Sequence, residues 1–165
     1  MIMENLLILG AGQYGMVAKE IAESMHLFNK ISFLDDNNPI AIGKLLDYSA
    51  LKEEYGCAVA ASGNTAMRLQ LIKDLKQTGF KVPPLAHTRA YVSPSASIAE
   101  GCFIEPTAVV HTDVKVGTGC IISAGVILNH NSVIEQGCHI NCGTVVAASK
   151  LIKSNTKTEI GSVVD

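Results

Sequence analysis

Two histidines nine residues apart are the side chains best suited to move a proton: His130 in Leu128-Asn129-His130-Asn131-Ser132, and His139 in Cys138-His139-Ile140. A neutral imidazole near pH 7 is a competent general base toward an amine or a hydroxyl. Exposed histidines with no task are the bland alternative, and their spacing alone does not separate the two readings. His111, like each of this pair, falls at a non-interior register of the repeat described below, whereas His26 and His87 are read as surface or packing residues outside it.

A second constellation is the loop Gly10-Ala11-Gly12-Gln13-Tyr14-Gly15, a GxGxxG pattern that follows an apolar run and precedes a helical one. Glycines at this spacing let backbone N–H groups approach a pyrophosphate at the positive end of a helix. Asp35, twenty-three residues after Gly12, stands where an acid for a ribose hydroxyl belongs. Three readings are open: NAD, a nucleotide held by a single half-site, or a purely structural turn. The segment before Pro83-Pro84 is too short for two mononucleotide halves, which disfavours NAD.

The elements that would carry this loop alternate between strand and helix. Asn5 to Leu9 is a short apolar strand, and Val17, Ile21 and Met25 mark a helix. Ile31 to Leu34 is a second strand, closed by Asp35-Asp36-Asn37-Asn38-Pro39, and Ala58 to Ser62 a third. The spacing Met67, Leu71, Leu75 then predicts a second helix, stopped by Gly79. Such alternation implies a parallel sheet with crossover helices, an α/β Rossmann-like domain over residues 1–84.

After Pro84 the period becomes six. Val92, Ile98, Ile104, Val110, Val116, Ile122, Leu128, Ile134, Ile140, Val146 and Ile152 form an unbroken aliphatic series. Four residues after each comes a small or β-branched register: Ala96, Cys102, Ala108, Val114, Cys120, Val126, Ser132, Cys138 and Thr144. A strand of about six residues advances roughly 20 Å before the chain must turn. Three such sides close a triangular coil of 18 residues, a parallel β-helix expected from about Val92 to Thr158. Cys102, Cys120 and Cys138 then stack as an interior column. Nine residues is one and a half sides, so His130 and His139 of one subunit are not expected to meet on one face; they could approach across a cleft between two subunits.

Bulk properties exclude several classes. A net charge of −2 with no basic stripe argues against nucleic acid as a partner. Five cysteines without a CxxC pair argue against disulfides and a metal centre. No apolar run approaches a membrane span, and the start Met1-Ile2-Met3-Glu4 lacks a cationic leader, so a cytoplasmic protein is expected.

The GxGxxG loop, Phe33-Leu34-Asp35-Asp36, Ser62-Gly63-Asn64 and the hexapeptide series together resemble one family. It is that of the bacterial sugar acyltransferases, which includes sialic acid O-acetyltransferases and UDP-4-amino-sugar N-acetyltransferases. Leu85-Ala86-His87 through Ala96 is similar to the start of the family's helix, and Asn129 to Ile140 to its catalytic coil. The resemblance implies a left-handed β-helix over residues 85–165, a homotrimer, and active sites between subunits. It implies acetyl-CoA as co-substrate and a nucleotide-activated, UDP-linked sugar as acceptor. His130 is the implied base, with Asn131 orienting its ring, and His139 lies near the acetyl group. His139 and Ala148 are the implied CoA contacts. Gly10, Gly12, Gln13, Tyr14, Gly15, Asp35, Asp36, Gly63 and Asn64 are the implied sugar-nucleotide contacts.

One departure bears on chemistry. The family usually carries Asp or Glu beside its catalytic histidine, where this chain has Asn129 and Asn131. An amide orients the ring without stabilising the imidazolium as a carboxylate would. The expected function is therefore acetyl transfer to an amine or hydroxyl of the sugar. The alternative is a non-catalytic sugar-nucleotide-binding or scaffold homologue that has lost its CoA-binding coils.

Overall fold

The computed structural model describes residues 4–165; Met1, Ile2 and Met3, part of the stretch tested above for a leader, lie outside them. The chain divides into two compact units, the first ending at Pro83 and the second beginning at Pro84.

The first unit alternates strand and helix: β1 (Glu4–Leu9), α1 (Gln13–Met25), β2 (Phe28–Leu34), a 3-10 helix (Leu45–Leu51), β3 (Cys57–Ala60) and α2 (Thr65–Gln77). The strands are parallel in the order β2-β1-β3, with Ile8 opposite both Phe33 and Val59. β1 is central, and Leu6 to Leu9 are fully buried. This three-stranded sheet is the size of one mononucleotide half.

Two helical faces differ from expectation. The buried stripe of α1 is Gly15, Ala18, Ile21 and Ala22, while Val17 and Met25 are only partly covered. On α2 the buried face is Arg68, Leu71, Ile72 and Leu75, and Met67 is 43% exposed. Fourfold spacing alone cannot fix the centre of an apolar face, because a helix advances 3.6 residues per turn. β2 begins at Phe28 and β3 ends at Ala60, each offset from the expected bounds.

The second unit consists of two-residue strands. They are β4 (Leu85–Ala86), β5 (Tyr91–Val92), β6 (Ser97–Ile98), β7 (Phe103–Ile104), β8 (Val109–Val110), β9 (Lys115–Val116) and β10 (Ile121–Ile122). They continue as β11 (Ile127–Leu128), β12 (Val133–Ile134), β13 (His139–Ile140), β14 (Val145–Val146), β15 (Leu151–Ile152) and β16 (Val163–Val164). Each pairs in parallel with the strand one coil away, so that Ile121 faces Phe103 on one side and His139 on the other. Three sheets result: β13-β10-β7-β4, β16-β14-β11-β8-β5 and β15-β12-β9-β6.

Both sequence registers point inward. Ile104, Val110, Val116, Ile122, Leu128, Ile134, Ile140, Val146 and Ile152 form the core with Cys102, Ala108, Val114, Cys120, Val126 and Cys138. A third series shapes the corners. Gly101, Thr107, Asp113, Gly119, Gly125, Asn131, Gly137, Gly143, Ser149, Asn155 and Gly161 recur every six residues, with φ between 58° and 70°. Left-handed backbone at each corner lets a two-residue strand turn onto the next face, and Gly or Asn adopts it at least cost.

The coil is longer than the aliphatic series suggests. It runs from Leu85 to Val164, beyond the expected Val92 to Thr158. His87 therefore belongs to its first turn, and its N–H donates to the Ile104 carbonyl at 2.9 Å. The aliphatic series ends at Ile152 because Thr158 takes the next inward position. Its Oγ1 is 3.0 Å from Thr144 Oγ1, so the interior turns polar where hydroxyls satisfy one another.

Candidate active site

In the first unit, Gly10, Gly12, Gln13, Tyr14, Asp35, Asp36 and Gly63 line one cleft of about 360 Å³ between the C-terminal ends of the strands and the start of α1. Ligands of parallel α/β sheets bind at this edge. The three glycines of the loop have separate duties. Gly10 has φ +107° and abuts the Ala61 carbonyl, so the turn out of β1 needs it. A Cβ on Gly15 would lie under 3.0 Å from the Gly10 carbonyl oxygen, so Gly15 lets α1 rest on the loop. Gly12 faces open space. It is also the N-cap of α1, with no side-chain cap and no acid in the first turn. The N-terminus of α1 thus opens on the cleft without an acid beside it, an arrangement suited to an anion.

Asp35 braces this loop. Its Oδ2 accepts the Ala11 N–H at 2.8 Å, and its Oδ1 accepts the N–H groups of Asn37 and Asn38 at 2.9 and 3.0 Å. The Ala11 bond, followed by that of Asn37, holds the carboxyl below its ordinary range. Asn38, which sequence reasoning did not single out, completes the brace by donating Nδ2–H to the Ala11 carbonyl at 2.6 Å. Its signal was its place in the run Asp35-Asp36-Asn37-Asn38, a composition typical of side chains that bond their own turn. Asp36 accepts the Leu45 N–H at 3.0 Å. Asn64 caps α2 by accepting the Met67 N–H at 2.9 Å and is not among the cleft-lining residues. Leu45, Met67 and Leu71 supply an apolar wall that the motifs did not indicate.

In the second unit, His130 sits at the corner that follows β11. Its ring is exposed, and Nδ1 lies 3.0 Å from Asn131 Nδ2. Asn131 adopts left-handed backbone with φ 58°, and its N–H donates to the Thr112 carbonyl one coil earlier. The His130 N–H is held by Asn129 Oδ1 at 2.8 Å, and its carbonyl accepts the Ser149 N–H at 3.0 Å. The imidazole therefore hangs from a backbone fixed on both sides.

His139 opens β13, on a different sheet. Its half-buried ring brings Nε2 to 3.2 Å from Ser123 Oγ, and that hydroxyl reaches Glu105 Oε1 at 3.4 Å. Glu105 Oε2 accepts the Ala124 N–H at 3.0 Å. Ser123 and Glu105 were missed in sequence because neither belongs to a motif; their separation by 18 residues, one coil, was the available signal. Ala148 is half-buried between β14 and β15. Among the described residues no group of three or more His, Cys, Asp or Glu could hold a metal ion, and no helix is long and apolar enough to cross a membrane.

Comparison with known proteins follows the same division. Residues 5–75 match the PglD N-terminal domain family, and residues 95–130 match the bacterial transferase hexapeptide (six repeats). The acetyltransferase domain of PglB from Neisseria gonorrhoeae FA1090, solved in complex with acetyl coenzyme A, is 30% identical. The match covers 97% of this chain and 81% of that one, with a TM-score of 0.80. A mutant of perosamine N-acetyltransferase from Caulobacter crescentus, in complex with CoA and GDP-perosamine, is 20% identical. Here 99% of this chain and 90% of that one are covered, with a TM-score of 0.87, a likeness that bears on the fold. The α/β unit followed by a left-handed β-helix, and the relatives that share both, show that this chain belongs to the bacterial sugar acyltransferases of the hexapeptide-repeat type.

Proposed function

We propose that this protein transfers an acetyl group from acetyl-CoA to an amine or hydroxyl of a nucleotide-linked sugar. The observation that carries this reading is the exposed His130 ring, tethered through Asn131, on a chain 30% identical to an acetyltransferase domain solved with acetyl coenzyme A. A carboxamide has both a donor and an acceptor end. Asn131 stands with Nδ2 on His130 Nδ1; turning the amide over puts its oxygen on Nδ1–H, and in that orientation His130 Nε2 keeps the lone pair that accepts a proton. The acceptor nitrogen or oxygen attacks the thioester carbon, forming a new C–N or C–O bond as the C–S bond breaks. The acceptor's proton passes to His130, and the CoA sulfur leaves as thiolate to be protonated to the thiol. Removal of a proton by a positioned base contributes roughly 10²–10⁴-fold in rate.

The cleft of the first unit is the proposed site for the nucleotide diphosphate, received by the N-terminus of α1 and the Gly12 backbone. His139 and Ala148 are the proposed contacts for the acetyl and CoA. The proposed assembly is a homotrimer. Its support is the outer face of the sheet β16-β14-β11-β8-β5, where Tyr91, Val109, Ile127, Val145 and Val163 form an apolar column. Tyr91 is 56% and Val163 66% exposed, more apolar surface than a lone coil gains by showing to water. His130 lies at the edge of this face, so a neighbour docked there would wall the site.

The test is calorimetric titration with acetyl-CoA, then incubation of acetyl-CoA with a panel of UDP-amino sugars and mass analysis. Saturable binding and a product heavier by one acetyl group support the reading. A protein that binds the sugar nucleotide but not acetyl-CoA would be a scaffold instead.

A further inference from the structure

We propose that Asp113 is a positioning residue for His130: it holds the Asn131 amide with its oxygen toward the ring and supplies the carboxylate that Asn129 and Asn131 lack. This rests on the transfer reaction above only for its consequence in turnover; the state of the ring can be read without substrate. The corner that carries Asp113 lies one coil before the corner of His130 and Asn131. Their register is fixed on both sides, since Val109 pairs with Ile127 and Lys115 with Val133. Between these pairs the Asn131 N–H donates to the Thr112 carbonyl at 3.0 Å. Asp113 and Asn131 are therefore counterparts in adjacent coils, and both have φ 58°. Neighbouring strands lie about 4.8 Å apart. Equal backbone at that spacing sends the two side chains outward together, within reach of an amide–carboxylate bond once each turns about its own torsions. The Asp113 N–H is fixed by Ser95 Oγ at 3.1 Å, whereas its exposed carboxylate accepts no hydrogen bond among the described residues.

The orientation of the amide decides whether His130 is a base. With Asn131 Nδ2 on His130 Nδ1, the neutral ring accepts there and carries its hydrogen on Nε2. The reverse orientation leaves Nε2 bare, and it turns Asn131 Nδ2 away from the ring, along the column of corners. The side chains in that column are Asp113 on the coil before and Ser149 on the coil after. An ionised carboxylate is the stronger acceptor of the two. The chain then runs from His130 Nδ1–H to the Asn131 oxygen, and from Asn131 Nδ2–H to Asp113. A proton gained at Nε2 strengthens each link, because the charge on the ring lies opposite the charge on Asp113. Lys115 and His111 on the coil before, and Lys150 on the coil after, oppose that proton when charged; Asp113 is the acid at this corner that favours it. Glu135 and Lys153 face each other beyond β12.

The experiment is nitrogen-15 NMR of the histidine rings through a pH titration of the intact protein at low salt, with His130→Gln identifying the His130 signal. Wild type is expected to show the Nδ1–H tautomer when neutral. Asp113→Ala is expected to lose the fixed tautomer and to lower the His130 pKa by about 0.5–1 pH unit, the acid limb of the kcat/KM profile moving down with it. Adding Asn131→Asp to Asp113→Ala puts a carboxylate on the ring directly and should restore both readings, which repair of a folding defect would not do. Ser149→Ala should leave the tautomer as it is. An Nε2–H ring in wild type, or a tautomer and pKa unmoved by Asp113→Ala, overturns the proposal. The expected tautomer and shift in a protein that transfers no acetyl group would overturn the proposed function and leave the role of Asp113 standing.

Discussion

Asp35 Oδ2 accepts the backbone N–H of Ala11 at 2.8 Å, so a side chain at the end of β2 holds the glycine loop at the end of β1. The acid that sequence reasoning assigned to a ribose hydroxyl has both its oxygens engaged by backbone, with Asn37 and Asn38 N–H groups on the other.

A pH dependence of stability follows. Because the folded state lowers the Asp35 pKa, its contribution is complete above the ordinary carboxylate value, about 4, and is lost as pH falls through the folded value. Urea midpoints of wild type and Asp35→Asn should differ at neutral pH and converge in acid. Parallel curves at every pH would show that the three bonds do not favour the charged form.

The glycines should separate folding from binding. Gly15→Ala drives a Cβ against the Gly10 carbonyl oxygen and should cost about 1–3 kcal/mol in denaturant unfolding. Gly12 has φ −74° and open space around it, so Gly12→Val should fold normally while covering the backbone that a phosphate would approach. Its affinity for a UDP-sugar, measured by calorimetry, should fall at least tenfold. Equal affinity would mark the loop as structural only.

His130→Ala should abolish acetyl transfer and leave the oligomer unchanged by light scattering. The loss expected is roughly 10²–10⁴-fold in kcat. Because Asn131 acts through His130, Asn131→Ala should lower kcat less and should not lower the residual rate of the His130→Ala protein further. Full turnover without His130 would remove it from the mechanism.

The apolar column on the β11 face can be tested by charge. Ile127→Asp, at an exposed central position, should convert a trimer to monomers in sedimentation without changing the far-ultraviolet spectrum. A wild-type protein that sediments as a monomer would leave that face without its proposed partner.

Thiol reactivity should single out one cysteine. Cys142 is exposed, whereas Cys57, Cys102, Cys120 and Cys138 are buried. Burial, then the Glu4 carboxylate, pushes the Cys57 thiol to about 12; the Cys102 thiol, together with burial, pushes Cys120 to about 12. At pH 8 their thiolate fraction is on the order of 10⁻⁴. An aromatic disulfide reagent should therefore release one equivalent per native chain and five in urea. Several fast equivalents in the native state would contradict the closed interior column.

Much of the β-helix was legible in the chain itself. Aliphatic residues every sixth position can all be buried together only if the strand turns at that interval, so periodicity determined coil, registers and the stacked cysteines. The GxGxxG loop was legible for a similar reason, since Gly10 and Gly15 each answer a local steric demand. What tertiary structure alone decided were relations between residues with no shared period. Asp35 reaches Ala11 because parallel pairing puts β2 beside β1. Ser123 comes within reach of His139 because successive coils stack in register. The burial of Ala18 in place of Val17 depends on how α1 is rotated against the sheet. A linear pattern states which side chains must be hidden, but the direction in which a polar side chain finds its partner is fixed only when separate turns of the chain are packed together.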